Sequence, residues 1–226
     1  NSNISLMIYL ILFGAVFIGY LIASFLKTKE VEQMSIFLAF SGAFLLAVTI
    51  FELLPEVFAN PSKTLGIYIL AGILLQICLE FFSKGAEHGH VHGHLKDKRF
   101  PWLLFISLSI HAFLEGFPIS DENNLLIGVV VHKVPIAIIL SFFFIKANYS
   151  KQNTMLFLLF FALMSPLGAL IAHSYPGIES FKTEISAIVI GIFLHVSTTI
   201  IFEISKDHKF NLVKLTTIII AFVLAY

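Results

Sequence analysis

Leu6 to Leu26 reads LMIYLILFGAVFIGYLIASFL, 21 residues with no charge, no proline and no alternation of apolar with polar positions. Coiled as an α-helix at 1.5 Å per residue, such a run is about 30 Å long, which matches the hydrocarbon core of a bilayer. A barrel strand would be shorter and would alternate, so the stretch reads as a transmembrane helix. Seven further runs of the same character follow: Met34 to Phe58, Leu65 to Phe82, Pro101 to Ile119, Leu125 to Ile145, Met155 to Ala172, Ile185 to Ile204, and a shorter one from Leu212 to Tyr226. The expected fold is therefore all-α, a polytopic membrane protein of eight transmembrane helices forming a single domain over residues 1–226. No linker or second domain is visible.

Composition agrees. The 226 residues are 58% hydrophobic and 12% charged, with 25 Phe, against roughly 45–50% and 25% in a soluble domain. One compact core cannot absorb that much apolar surface, whereas lipid can solvate it, so a soluble enzyme is excluded. Fourteen Lys and Arg balance fourteen Asp and Glu, which leaves no basic surplus for nucleic acid. The lone Cys78 allows no internal disulfide. Because the chain starts at Asn1 rather than Met, a preceding segment is expected to have been removed.

Loop charge sets the expected orientation, since cytoplasmic loops near span ends retain Lys and Arg. Eleven of these (Lys27, Lys29, Lys84, Lys96, Lys98, Arg99, Lys146, Lys151, Lys206, Lys209 and Lys214) fall on one side of the eight spans, and only Lys63 and Lys182 on the other. Both termini are thus expected to be extracytoplasmic, in a multi-pass protein of the cell (inner) membrane. The loop at about 83–100 is then cytoplasmic. It carries His88, His90, His92 and His94 at alternate positions, a metal-binding composition without fixed geometry.

Ionisable groups inside a span are costly, so each is by default a functional candidate. They are Glu52, His111, Glu115, His132, Lys133 and His195, with His173 nearer a span end. His111 and Glu115 are four residues apart and project from one helical face. His111 precedes Glu122 in the outer loop by eleven residues and His132 follows it by ten, so in an antiparallel hairpin the two imidazoles share a depth. Glu52 reaches a comparable depth if its helix packs alongside. Two nitrogen and two oxygen donors then suit a borderline divalent ion. Pro118 and Pro135 each follow this cluster by three residues and are expected to disturb the carbonyls of Leu114 and Val131. His195 and His173 read equally well as hydrogen-bonding residues between helices.

These residues resemble the ZIP (Zrt/Irt-like) divalent metal transporters. The resemblance spans nearly the whole chain: eight spans, outer termini, a His-rich loop between the third and fourth, Leu53-Leu54-Pro55-Glu56 closing the second, and Pro166-Leu167-Gly168-Ala169 in the sixth. His111-Ala-Phe-Leu-Glu115-Gly116 is similar to the family's fourth-span signature of His, Asn, two variable residues, an acid and Gly. The resemblance implies a binuclear metal site, with His111, Glu115 and His132 as ligands of its primary position and Glu52 as a contributor from the second span. Four positions depart from the pattern. Ala112 stands for the usual Asn, Lys133 for an acid or amide, Ile136 for an acid, and Ser165 where some members have Glu. Losing carboxylates and gaining an ammonium repels a second dication, so a mononuclear site is expected, with Lys133 neutralising Glu115.

The function expected is uptake of a divalent metal ion by alternating access, not enzymatic catalysis. Outer acids Glu56, Asp121 and Glu122 would concentrate cations, and the loop histidines would receive the ion inside. Zinc is favoured by the His content, although iron(II), manganese, cobalt and cadmium suit the same donors. The expected partners are that ion and the lipid bilayer, with no nucleic acid; membrane proteins of this sort often self-associate, which leaves a homodimer open. One rival is an intramembrane zinc hydrolase using the same cluster, but the chain has no His-Glu-x-x-His motif and no nucleophile elbow. The other is a metal-binding family member that does not transport.

Overall fold

A computed structural model describes residues 6–26, 34–86, 100–120, 123–203 and 212–226, and among them it contains helices and no strands. The helices are α1 (Leu6–Phe25), α2 (Ser35–Val57), α3 (Lys63–Ser83), α4 (Trp102–Glu115), α5 (Leu125–Lys146), α6 (Lys151–Ser174), α7 (Lys182–Glu203) and α8 (Leu212–Ala225). A single turn, Pro176–Glu179, links α6 to α7. Ser62 caps α3 and Ser150 caps α6, each accepting from a backbone N–H of the first turn.

Among the described residues, six helices are long and apolar enough to cross a membrane, namely α1, α2, α3, α5, α6 and the stretch Lys182–Phe202 of α7. The other two expected spans are shorter. α4 and α8 have 14 residues each, or about 21 Å of helix against a hydrocarbon core of about 30 Å. α4 stops at Glu115 instead of continuing to Ile119, because Gly116 and Pro118 follow. The chain from Gly116 to Ser120 is nevertheless buried, and irregular backbone at membrane depth is tolerated when protein covers it. Its polar groups are met locally: Phe117 N–H donates to the Leu114 carbonyl (3.1 Å), and Asn123 Nδ2 donates to the Pro118 carbonyl (2.8 Å). Pro118 therefore sits past the helix end and does not free the Leu114 carbonyl, contrary to expectation. Pro135 does lie inside α5.

α2 contains a feature absent from the sequence reading. Residues Thr49–Leu53 form a π-helical turn, in which Leu54 N–H bonds to the Thr49 carbonyl five residues back. Pro55 explains it. Its ring has no N–H and would collide with the Phe51 carbonyl in an ordinary helix, and one wider turn relieves both problems.

Of the six long helices, α2 and α5 are the most buried and α3 the least, while the short α8 buries only Ala221. α7 packs chiefly on α3 and α2, α1 on α5 and α6, α8 on α2, and α4 on α6 and α3. α4 and α5 are consequently not the tightly paired hairpin that the short connection suggests; each leans on other helices, which leaves room for side chains between them. Large apolar residues such as Leu10, Leu21, Ile67, Leu70, Leu74 and Phe81 point outward, as lipid solvation allows, while the interior combines large apolar residues such as Phe144 and Phe193 with small and polar ones.

The crossing of α4 and α6 depends on two glycines. A Cβ on Gly116 would overlap the Ser165 carbonyl, and one on Gly168 the Phe113 carbonyl, so the backbones of α4 and α6 touch there. Gly116→Val is expected to destabilise the protein by about 1–3 kcal/mol, since overpacking must push the helices apart. Thermal unfolding in detergent checks this; an unchanged midpoint would show that the crossing has slack.

Candidate metal centre

α4 contributes His111 and Glu115, and α5 contributes His132 and Lys133. All four are at most 4% exposed. They line one cavity, walled by Leu108, Ile136 and Phe161, whose volume of about 10 Å³ lies at the lower edge of what a water molecule needs. An ion can enter such a space only by exchanging its hydration water for protein ligands.

The cavity is ordered by hydrogen bonds from three sides. Lys133 Nζ forms an ion pair with Glu115 Oε1 and donates to Ser165 Oγ of α6 at 2.7 Å. Ser165 Oγ in turn donates to the same Glu115 oxygen at 2.6 Å. Phe161 supplies a ring face 4.8 Å from the ammonium. A buried ion pair recovers its desolvation cost only with such additional bonds. The other carboxylate oxygen, Glu115 Oε2, lies 3.7 Å from His111 Nε2. Two donors each about 2.0–2.2 Å from one zinc ion sit no more than about 4 Å apart, so this pair already spans a usable distance. The rings of His111 and His132 are 6.3 Å apart between centroids, so the two imidazoles face one cavity as near neighbours. Among the described residues, no three His, Cys, Asp or Glu are grouped closely enough to hold a metal as they stand.

Other candidates lie elsewhere. Glu52, inside the π-helical turn of α2, is not brought to the cavity; Asn124 Nδ2 donates to its Oε1 at 2.9 Å. His195 is paired with Glu80 Oε2 of α3 at 2.6 Å, and His173 Nδ1 bonds to the Ala169 carbonyl one turn back at 2.8 Å. His195 is thus held at the contact of α7 with α3, whereas His173 is satisfied within its own helix. Glu56 at the C-terminal end of α2 faces Lys182 at 3.5 Å. His88, His90, His92 and His94, together with Asp121 and Glu122, lie outside the described residues.

Residues 82–225 match the model of the ZIP zinc transporters. The chain belongs to that family. It is 29% identical over 163 residues to protein zntD of Dictyostelium discoideum, covering 62% of this chain and 24% of that protein. It is also 29% identical over 137 residues to zinc transporter ZIP1 of Danio rerio, covering 55% of this chain and 44% of that protein. The chain thus spans between a quarter and a half of these curated relatives.

Three residues of this ZIP family chain bear on the cavity or its surroundings without having been singled out as contacts from sequence. Ser165 reads as a missing acid, yet it bridges Lys133 and Glu115. Gln76 of α3, fully buried, places its Oε1 3.0 Å from His111 Nδ1. It is the one amide side chain inside the eight expected spans, a signal that could have marked it. Glu80 was legible only as an acid near a span end.

Proposed function

We propose that this chain moves a divalent metal ion, zinc by preference, across the membrane toward the cytoplasm by alternating access. The single supporting observation is the convergence of His111, Glu115, His132 and Lys133 on one buried cavity, in a chain of the ZIP family. Iron(II), manganese, cobalt and cadmium suit the same donors less selectively. In this reading α4 and α8 also cross the bilayer, giving eight passes with both termini outside, in the cell (inner) membrane. A homodimer is compatible with it.

The metal position is mononuclear. His111 Nε2, Glu115 Oε2 and His132 take the ion, while Lys133 stays on Glu115 Oε1, where a second dication would otherwise sit. His132 closes the remaining gap by a small approach of α5 to α4. Glu52 joins only when its bond to Asn124 opens, which makes it a candidate for the outward-facing stage. His88, His90, His92 and His94 receive the ion at the cytoplasmic side, and His195 and His173 serve helix contacts. Because imidazoles bind metal only when deprotonated, loading weakens as pH falls.

Zinc influx into proteoliposomes containing the purified chain tests the reading. Cleavage of lipid or peptide without influx would instead favour the hydrolase. Lys133→Ala addresses the mononuclear claim: with the ammonium gone, zinc titration should show more metal bound per chain. An unaltered stoichiometry would remove Lys133 from the argument.

A further inference from the structure

His111 is held from behind by Gln76, which does not itself line the cavity. Gln76 Oε1 lies 3.0 Å from His111 Nδ1, and an amide oxygen can only accept a hydrogen bond. The bond therefore requires the proton on Nδ1. In the neutral ring that leaves the lone pair on Nε2, the nitrogen that faces Glu115 Oε2 at 3.7 Å. A metal-binding imidazole commonly donates its other N–H to a carbonyl or carboxylate in this way, and the bond fixes both tautomer and ring orientation.

The amide is poorly placed for stability alone. Gln76 is fully buried on the peripheral helix α3, and its Nε2 has no hydrogen-bond partner among the described residues. A buried amide half satisfied in this manner is worse than an apolar side chain of the same shape. Its one bond, to His111, is what the arrangement secures.

We propose that Gln76 is a positioning residue for metal binding: it holds His111 in the Nδ1–H tautomer and so presents Nε2 to the ion. The inference rests on reading His111 as a ligand. It adds a helix to the site, since α3 then orients a side chain of α4 without entering the cavity. Gln76 neither touches the ion nor titrates.

The test separates the hydrogen bond from the metal. Uniformly ¹⁵N-histidine-labelled protein in micelles, free of metal and at a pH where the ring is neutral, reports the tautomer of His111, assigned by the signal lost in His111→Ala. The native chain should show Nδ1–H. Gln76→Leu should shift His111 toward Nε2–H and weaken zinc binding about 10–100-fold, the usual effect of removing such a partner. Gln76→Glu, which keeps the acceptor, should retain Nδ1–H with zinc affinity no weaker than native, and it keeps the claim testable should the leucine variant not fold. An unchanged tautomer in Gln76→Leu overturns the inference whatever the metal does, as does loss of Nδ1–H in Gln76→Glu. A switched tautomer with native affinity also overturns it, and if His111→Ala then binds zinc normally, the ligand role of His111 falls as well.

Discussion

Zinc influx falls to the level of protein-free vesicles when His111 is replaced by alanine, the largest functional effect expected of one substitution here. The reason is the small number of donors. Around a cavity of about 10 Å³ there are two imidazoles and one carboxylate, and that carboxylate already shares one oxygen with Lys133 and Ser165. Removing a partner that merely orients a metal-binding imidazole costs about 10–100-fold in affinity, so removing the imidazole itself costs more than about 100-fold. Zinc binding by calorimetry and influx into vesicles should fall together. Influx at half the native rate or more would mean that the ion travels by another route.

Glu115→Ala is the substitution expected to damage stability most. It leaves the ammonium of Lys133 in a protein interior with only a hydroxyl and a ring face for company, and breaking a buried ion pair by removing one partner costs about 3–5 kcal/mol. The double variant Glu115→Ala with Lys133→Met should recover most of that loss, since taking both charges away removes the desolvation penalty along with the attraction. Unfolding in detergent measures both proteins. A loss below about 1 kcal/mol in the single variant, the range of exposed pairs, would show that solvent reaches Lys133 and that the pair is not sealed in the bundle. Neither protein should carry zinc, because Glu115 supplies the oxygen donor.

The helical membrane architecture and the closeness of His111 to His132 were legible from the chain because both follow from one-dimensional quantities, apolar run length and rise per residue. The pairing of Lys133 with Glu115 was legible too, as a charge argument at matched depth. Three features were not. The early end of α4 depends on Gly116 crossing α6 at Gly168 and on Asn123 satisfying the Pro118 carbonyl. Glu52 turns to Asn124 rather than to the cavity, and that depends on the π-helical turn before Pro55 rotating its part of α2. His195 meets Glu80 because α7 packs on α3.

Residue order alone thus determined that the chain is helical and built of apolar spans, and which ionisable groups fall inside those spans, because hydrophobic length and helical rise act along a single helix. Which of those groups face one another was decided only by tertiary structure. Rotation about a helix axis and the choice of neighbour are set by interhelical contacts, above all glycine crossings and buried hydrogen bonds, between residues far apart in the chain. Gln76 shows the difference most clearly: its amide stands out in the sequence, but it reaches His111 only because α3 packs against α4.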